Sequence, residues 1–212
     1  MNAFRTSAAA LLLAMPLLAQ AAPGINDEIR SDMKDARKDM RLDLAKARQE
    51  LLTENLRIDN SLQFGKGGHQ DRHLPRAEIT PQGDFLIEGK AQAIGADQRR
   101  ELLVYRKLVI DVAMRGIDIG ERSGQAALDA VGTSWVGMLF GAMTGGLERR
   151  VERVVKQEIE PGVRQICRQL PEVRDAQQRL AAGIASFRPY ATLEADDIRD
   201  CEADVRREFA SR

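Results

Sequence analysis

Aromatic side chains are scarce in this chain of 212 residues, which holds one Trp, two Tyr and six Phe, and cysteine and histidine each occur only twice. So few aromatics point to one or two small helical units. The two cysteines, Cys167 and Cys201, form no Cys-x-x-Cys pair, which argues against a redox site. Ser123 sits in Glu121-Arg122-Ser123-Gly124 without a Gly-x-Ser-x-Gly elbow, and both histidines belong to one loop, so nucleophilic catalysis has little support. Gly65-Lys66-Gly67-Gly68 lacks the Gly-Lys-Ser/Thr ending that ligates phosphate and magnesium, and reads as a flexible connection. Neither charge dominates, with 32 basic against 32 acidic residues. That near-neutrality argues against a nucleic-acid partner.

What is present begins with a compartment. Arg5 precedes an apolar run, Ala8 to Leu18, and Ala19-Gln20-Ala21 offers a signal-peptidase site before Ala22. The run is well short of the ~20 residues that cross a bilayer, so a cleaved secretory signal over residues 1–21 is expected rather than a retained anchor. The mature chain would then work in the periplasm. An oxidising environment would let Cys167 and Cys201 pair, the alternative being two buried free thiols.

Four segments follow from the patterning: the signal, a charged helical arm (22–53), a small β module (54–95) and a helical region (96–212). In the arm, Ile25, Ile29, Met33, Ala36, Met40, Leu44, Ala47 and Leu51 recur at intervals of three and four, a narrow helical stripe rich in Ala and Met. Asp27 with Arg30, Asp35 with Lys38, and Asp43 with Lys46 stand three apart, where such pairs add ~0.2 to 0.5 kcal/mol each. The arm reads either as a solvated helix laid on the rest of the protein or as a coiled-coil arm that recruits a partner.

From Leu56 the period changes to alternation, Leu56, Ile58, Leu62 and Phe64 being interleaved with polar residues. Ala77 to Thr80, a turn at Pro81-Gln82-Gly83-Asp84, Phe85 to Lys90, and Ala91 to Ile94 then predict a small antiparallel meander that must pack on helices. Asp97 is the expected N-cap of a helix to Arg115, with Leu102, Leu103, Leu108, Val109 and Val112 on its apolar face and Tyr105 to one side. Gly116 is expected to end or bend it. A second helix from Ile117 enters the glycine-rich stretch, and a third spans Leu147 to Leu170, with Pro161-Gly162 kinking or breaking it. Pro171 to Ile184 and Asp196 to Phe209 read as two shorter helices. The expected class is α+β, mainly α, with long helices, a helical C-terminal unit and a small antiparallel β-hairpin or meander module.

The run Ile79-Thr80-Pro81-Gln82-Gly83-Asp84-Phe85-Leu86-Ile87-Glu88-Gly89-Lys90, followed by Asp97-Gln98-Arg99-Arg100 and Tyr105, resembles the shared segment of YggN-like proteins. These are secreted bacterial proteins with a domain of unknown function. The later glycine-rich stretch and Cys167 also fit, whereas the charged arm before Leu56 departs from the pattern. The resemblance implies an exported protein and transfers no catalytic residue or cofactor.

Two segments stand out as candidate sites. His69 and His73 flank Asp71 in a loop bounded by Gly67-Gly68 and Pro75, and two imidazoles with one carboxylate would suit a transition metal. A solvated loop is the simpler reading there. Ala130 to Leu147 carries no charge and spaces Gly137, Gly141 and Gly145 four apart, a strip of bare backbone on one helix face. It is short for a span and diluted by five glycines, two threonines and a serine. It reads as a packing element within or between copies, or as a surface where Trp135, Phe140 and neighbouring apolar residues touch a bilayer beside Arg149, Arg150 and Arg153. Taken together, the sequence predicts an exported non-catalytic protein with no cofactor, working through a protein partner, self-association or peripheral membrane contact. The competing expectation is a metal-binding protein or an enzyme using the His69–His73 loop.

Overall fold

The computed structural model describes residues 23–59, 74–132, 157 and 159–210. The expected signal segment, the stretch His69–His73 and the glycine triplet with Trp135 and Phe140 lie outside the described residues. The elements in order are α1 (Pro23–Thr53), β1 (Leu56–Arg57), β2 (Ala77–Ile79), β3 (Phe85–Ile87), β4 (Lys90–Ala91), α2 (Ala96–Gly132), α3 (Glu160–Gly183), a 3₁₀ segment (Ala185–Tyr190) and α4 (Ala195–Ala210). The fold is mainly helical with a small antiparallel sheet, as the patterning predicts.

The sheet is a meander in the order β1-β2-β3-β4. Its turn from Thr80 to Asp84 closes with the Thr80 amide donating to the Asp84 carbonyl at 2.9 Å, and it needs Gly83 at φ 84°. A side chain there would also press on Leu103 and Arg99. The segment Phe85 to Lys90 is not one strand but a tight hairpin, because Glu88 and Gly89 both take positive φ (49° and 72°), the pairing demanded by a two-residue turn of the I′ kind.

Helix α2 runs through Gly116 without a break, correcting the expected boundary. The glycine costs roughly 0.5 to 1 kcal/mol, too little to stop a helix flanked by α1 and α3. Asp97 is not the cap either: Gln98 reaches back to accept from the Gly95 amide (2.7 Å), and Asp97 lies in the first turn beside Arg100. Tyr105 stands in the middle of the buried face with Leu102, Val109 and Val112, while Leu103 is 37 % exposed. Pro171 does not start a new helix. It sits inside α3 on an exposed position, and burial of Cys167, Leu170, Val173, Ala176 and Leu180 along the other face carries the helix through. Pro161 falls in the first turn of α3, where its missing amide costs nothing.

Helix α3 returns antiparallel along α2, as shown by Gln98 Nε2 donating to the Gly183 carbonyl (2.7 Å), Gln177 meeting Tyr105, and Gly162 lying against Ile119. The scarce aromatics concentrate here. Phe85, Tyr105, Phe187 and Tyr190 form one cluster of tilted and edge-to-face rings, with centroids 5.5 to 6.5 Å apart. Ile58, Ala77, Ile79, Leu102, Leu170, Val173 and Leu193 complete a single core shared by the sheet, α2, α3 and the 3₁₀ segment. Gln177 ties it together from inside, its amide donating to the Tyr105 hydroxyl and the Tyr190 carbonyl (3.1 Å each) and accepting from the Leu193 amide (2.8 Å). The Cys167–Cys201 disulfide links α3 to α4, with Cα atoms 5.8 Å apart.

Candidate functional site

The core occupies only one end of the molecule. From Ser31 to Thr53 in α1, and from Ala113 to Asp129 in α2, no described side chain is fully buried. These two stretches form an antiparallel helical arm leading away from the core, with α3 beside it as far as Ile119. At 1.5 Å per residue, α2 is roughly 55 Å long, so its outer half lies well beyond the core.

Polar contacts hold the arm closed. Arg37 bonds Asp129 at 2.5 Å, and Arg48 is forked between Asp118 (2.8 Å) and Glu121 (2.7 Å). Those hydrogen bonds raise the Arg48 pKa above its ordinary value. At the base, the buried Arg106 donates to the carbonyls of Leu51 (3.1 Å), Leu52 (3.2 Å) and Glu54 (2.7 Å), satisfying acceptors that the end of α1 would otherwise leave open. Burial lowers the Arg106 pKa from its ordinary value. Met33, Met40, Leu44, Ala47 and Leu51 face α2 half-buried, whereas Ala36 is exposed. The expected pairs Asp35 with Lys38 and Asp43 with Lys46 do not form; Lys46 reaches Glu50 at 3.6 Å instead.

Bare backbone recurs along α2 at Gly116, Gly120 and Gly124, the same four-residue spacing as the triplet further on. A Cβ at Gly116 or Gly120 would meet nothing within 4 Å, while one at Gly124 would meet the Met40 sulfur at 2.7 Å. Only the last glycine is used for close approach.

Charge is unevenly spread over the solvent side of α1. Lys34, Arg37, Lys38, Arg41 and Arg48, spaced three, one, three and seven apart, fall on one flank of the helix, with Ala45 and Leu52 among them. Asp32, Asp39, Asp43 and Glu50 fall on the other, together with Lys46, which pairs with Glu50, and Asp35 lies between the two. Arg37 and Arg48 are engaged by α2, leaving Lys34, Lys38 and Arg41 exposed, with no carboxylate in ion-pair reach among the described residues. These three line a shallow concavity with Arg37, Asp35 and the 58 % exposed Leu42. A second concavity lies over the disulfide, between Arg164, Arg168, Glu202, Val205 and Arg206.

Sequence reading singled out the His69–His73 loop and Trp135, Gly137, Phe140, Gly141 and Gly145, none of which is among the described residues, and it paired Cys167 with Cys201, which the structure shows. The uneven charge of α1 emerges when its charges are placed at 100° intervals, and the pairing of neighbouring opposite charges does not reveal it. Sequence reading misses Gln177, whose burial has no local signature. Among the described residues, no group of three His, Cys, Asp or Glu side chains is placed to hold a metal, and no helix is long and apolar enough to cross a membrane. Comparison with protein-family models, with curated proteins and with solved structures finds no match.

Proposed function

We propose that the chain is an exported, YggN-like, non-catalytic protein of the bacterial envelope, which presents a helical arm for contact with a protein partner, a second copy or a membrane surface. The observation that carries this reading is the arm without a core of its own. Most of a helix's stability in a folded protein comes from burying an apolar face, yet over Ser31–Thr53 of α1 and Ala113–Asp129 of α2 no described side chain is fully buried. An extension of that kind adds surface rather than stability.

The Cys167–Cys201 disulfide supports the compartment, being compatible with an oxidising, extracytoplasmic location, and the signal-like N-terminus of the sequence agrees. In the sequence, Trp135, Gly137, Phe140, Gly141 and Gly145 follow Gly132, the last residue of α2. They are the residues proposed for contact. Light scattering of the mature protein, alone and with anionic liposomes, tests the reading. An increase in mass alone, or transfer to the liposomes, is expected; a monomer that ignores both conditions contradicts it.

A further inference from the structure

We propose that the basic flank of α1, Lys34, Lys38 and Arg41, docks the arm on an anionic phospholipid surface. The inference rests on the contact reading above and names the partner. Three observations lead to it. First, these side chains are exposed and lack ion-pair partners among the described residues, whereas Arg37 and Arg48 on the same flank are taken by Asp129, Asp118 and Glu121. The free cations are therefore a residue of the arm's own charge arrangement, not part of what holds it closed.

Second, Asp32, Asp39 and Asp43 lie on the opposite flank, where Lys46 is taken by Glu50, and Asp35 is the one exposed acid of residues 31–53 bordering the three cations, so their edge of the helix can face a negative plane while the other faces water. A neutral chain can bind a charged surface only through such a division, because its net charge supplies no attraction. Third, Leu42 (58 % exposed) and Leu52 (53 % exposed) border or lie in that edge and give it apolar contact with the acyl boundary. A protein partner would favour a stripe of large apolar anchors, whereas Leu42 and Leu52 stand ten residues apart and the positions around them include Ser31, Asp35, Ala45 and Gln49.

The test is flotation of the full mature chain with vesicles of phosphatidylglycerol and phosphatidylcholine, and with phosphatidylcholine alone. Each Lys or Arg near an anionic surface is worth about fivefold in binding, so K34E/K38E/R41E should weaken association by at least ~100-fold. D32N/D39N/D43N should bind at least as well as the wild type. Because all six side chains are exposed and unpaired among the described residues, both variants should keep the parent's melting temperature and circular dichroism, which separates lost docking from lost folding. Equal binding of the triple reversal and the wild type would overturn the inference while leaving the contact function standing, since contact would then lie elsewhere. Wild-type binding to neutral vesicles alone would also overturn it. A wild type that floats with neither vesicle and remains monomeric overturns both.

Discussion

Replacing Gln177 by Leu should cost more stability than any other single polar-to-apolar exchange in the described part of the chain. The side chain is 1 % exposed and makes three hydrogen bonds, to the Tyr105 hydroxyl, the Tyr190 carbonyl and the Leu193 amide. Leucine fills a similar volume, so little cavity forms, but those three groups are left without their partner in the protein interior. An abandoned buried group costs about 1 to 3 kcal/mol, and the three act as one network, so the sum is less than additive; about 3 to 5 kcal/mol is expected. A domain of this size holds about 5 to 15 kcal/mol in all. Urea unfolding followed by circular dichroism should show the midpoint falling by roughly 2 M with the slope unchanged, because the native surface is the same. Gln178→Leu, one residue on and exposed, should stay within about 0.5 kcal/mol. A loss below about 1 kcal/mol for Gln177→Leu would refute the view that this amide joins α2, α3 and the chain entering α4.

Other outcomes follow from the same contacts. Cys167→Ser with Cys201→Ser opens a loop of sequence separation 34 and should cost about 3 to 4 kcal/mol in the chain-entropy model, with amide exchange accelerating first in α4. Gly162→Ala places a Cβ 2.4 Å from Ile119 Cγ1 and should destabilise by about 1 to 2 kcal/mol, whereas Gly116→Ala and Gly120→Ala, with open space around them, should stabilise by about 0.5 to 1 kcal/mol each; thermal melts decide the signs. Burial pushes the Tyr105 pKa up to about 12, and burial also raises that of Tyr190. The unfolded phenols ionise near 10, so the stability held by the neutral ring is complete below pH 10 and is lost as pH climbs toward 12. Absorbance at tyrosinate wavelengths should rise only above pH 10 and together with unfolding; ordinary titration of both tyrosines with the fold intact would contradict the burial.

Periodicity made the helices and the meander legible, because the burial of α2 through Leu102, Tyr105, Val109 and Val112 repeats at three and four, and the strand apolars alternate. Punctuation was less legible. Pro171 and Gly116 are local helix breakers whose costs of about 3 and 1 kcal/mol are outweighed by packing partners far along the chain, Cys201 and the core around Val173 for one, α1 and α3 for the other. The turn at Glu88-Gly89 hid because glutamate rarely takes positive φ, and only the pairing of Ile87 with Lys90 requires it. At the candidate surface the charges of α1 were legible in number but not in use. Which arginines are spent on α2 depends on Asp118, Glu121 and Asp129, some 70 to 92 residues away. No local pattern reveals that Lys34, Lys38 and Arg41 are the ones left over.

Binding of the wild-type chain from residue 22 onward to phosphatidylglycerol vesicles as a function of salt tests the central claim most directly. Screening shortens the reach of the basic flank from about 30 Å at 0.01 M salt to about 3 Å at 1 M. The arm should bind at low salt and be released as salt rises, with the monomer recovered intact. Absence of binding at low salt, or binding that salt leaves unchanged, would contradict an arm that works by electrostatic contact.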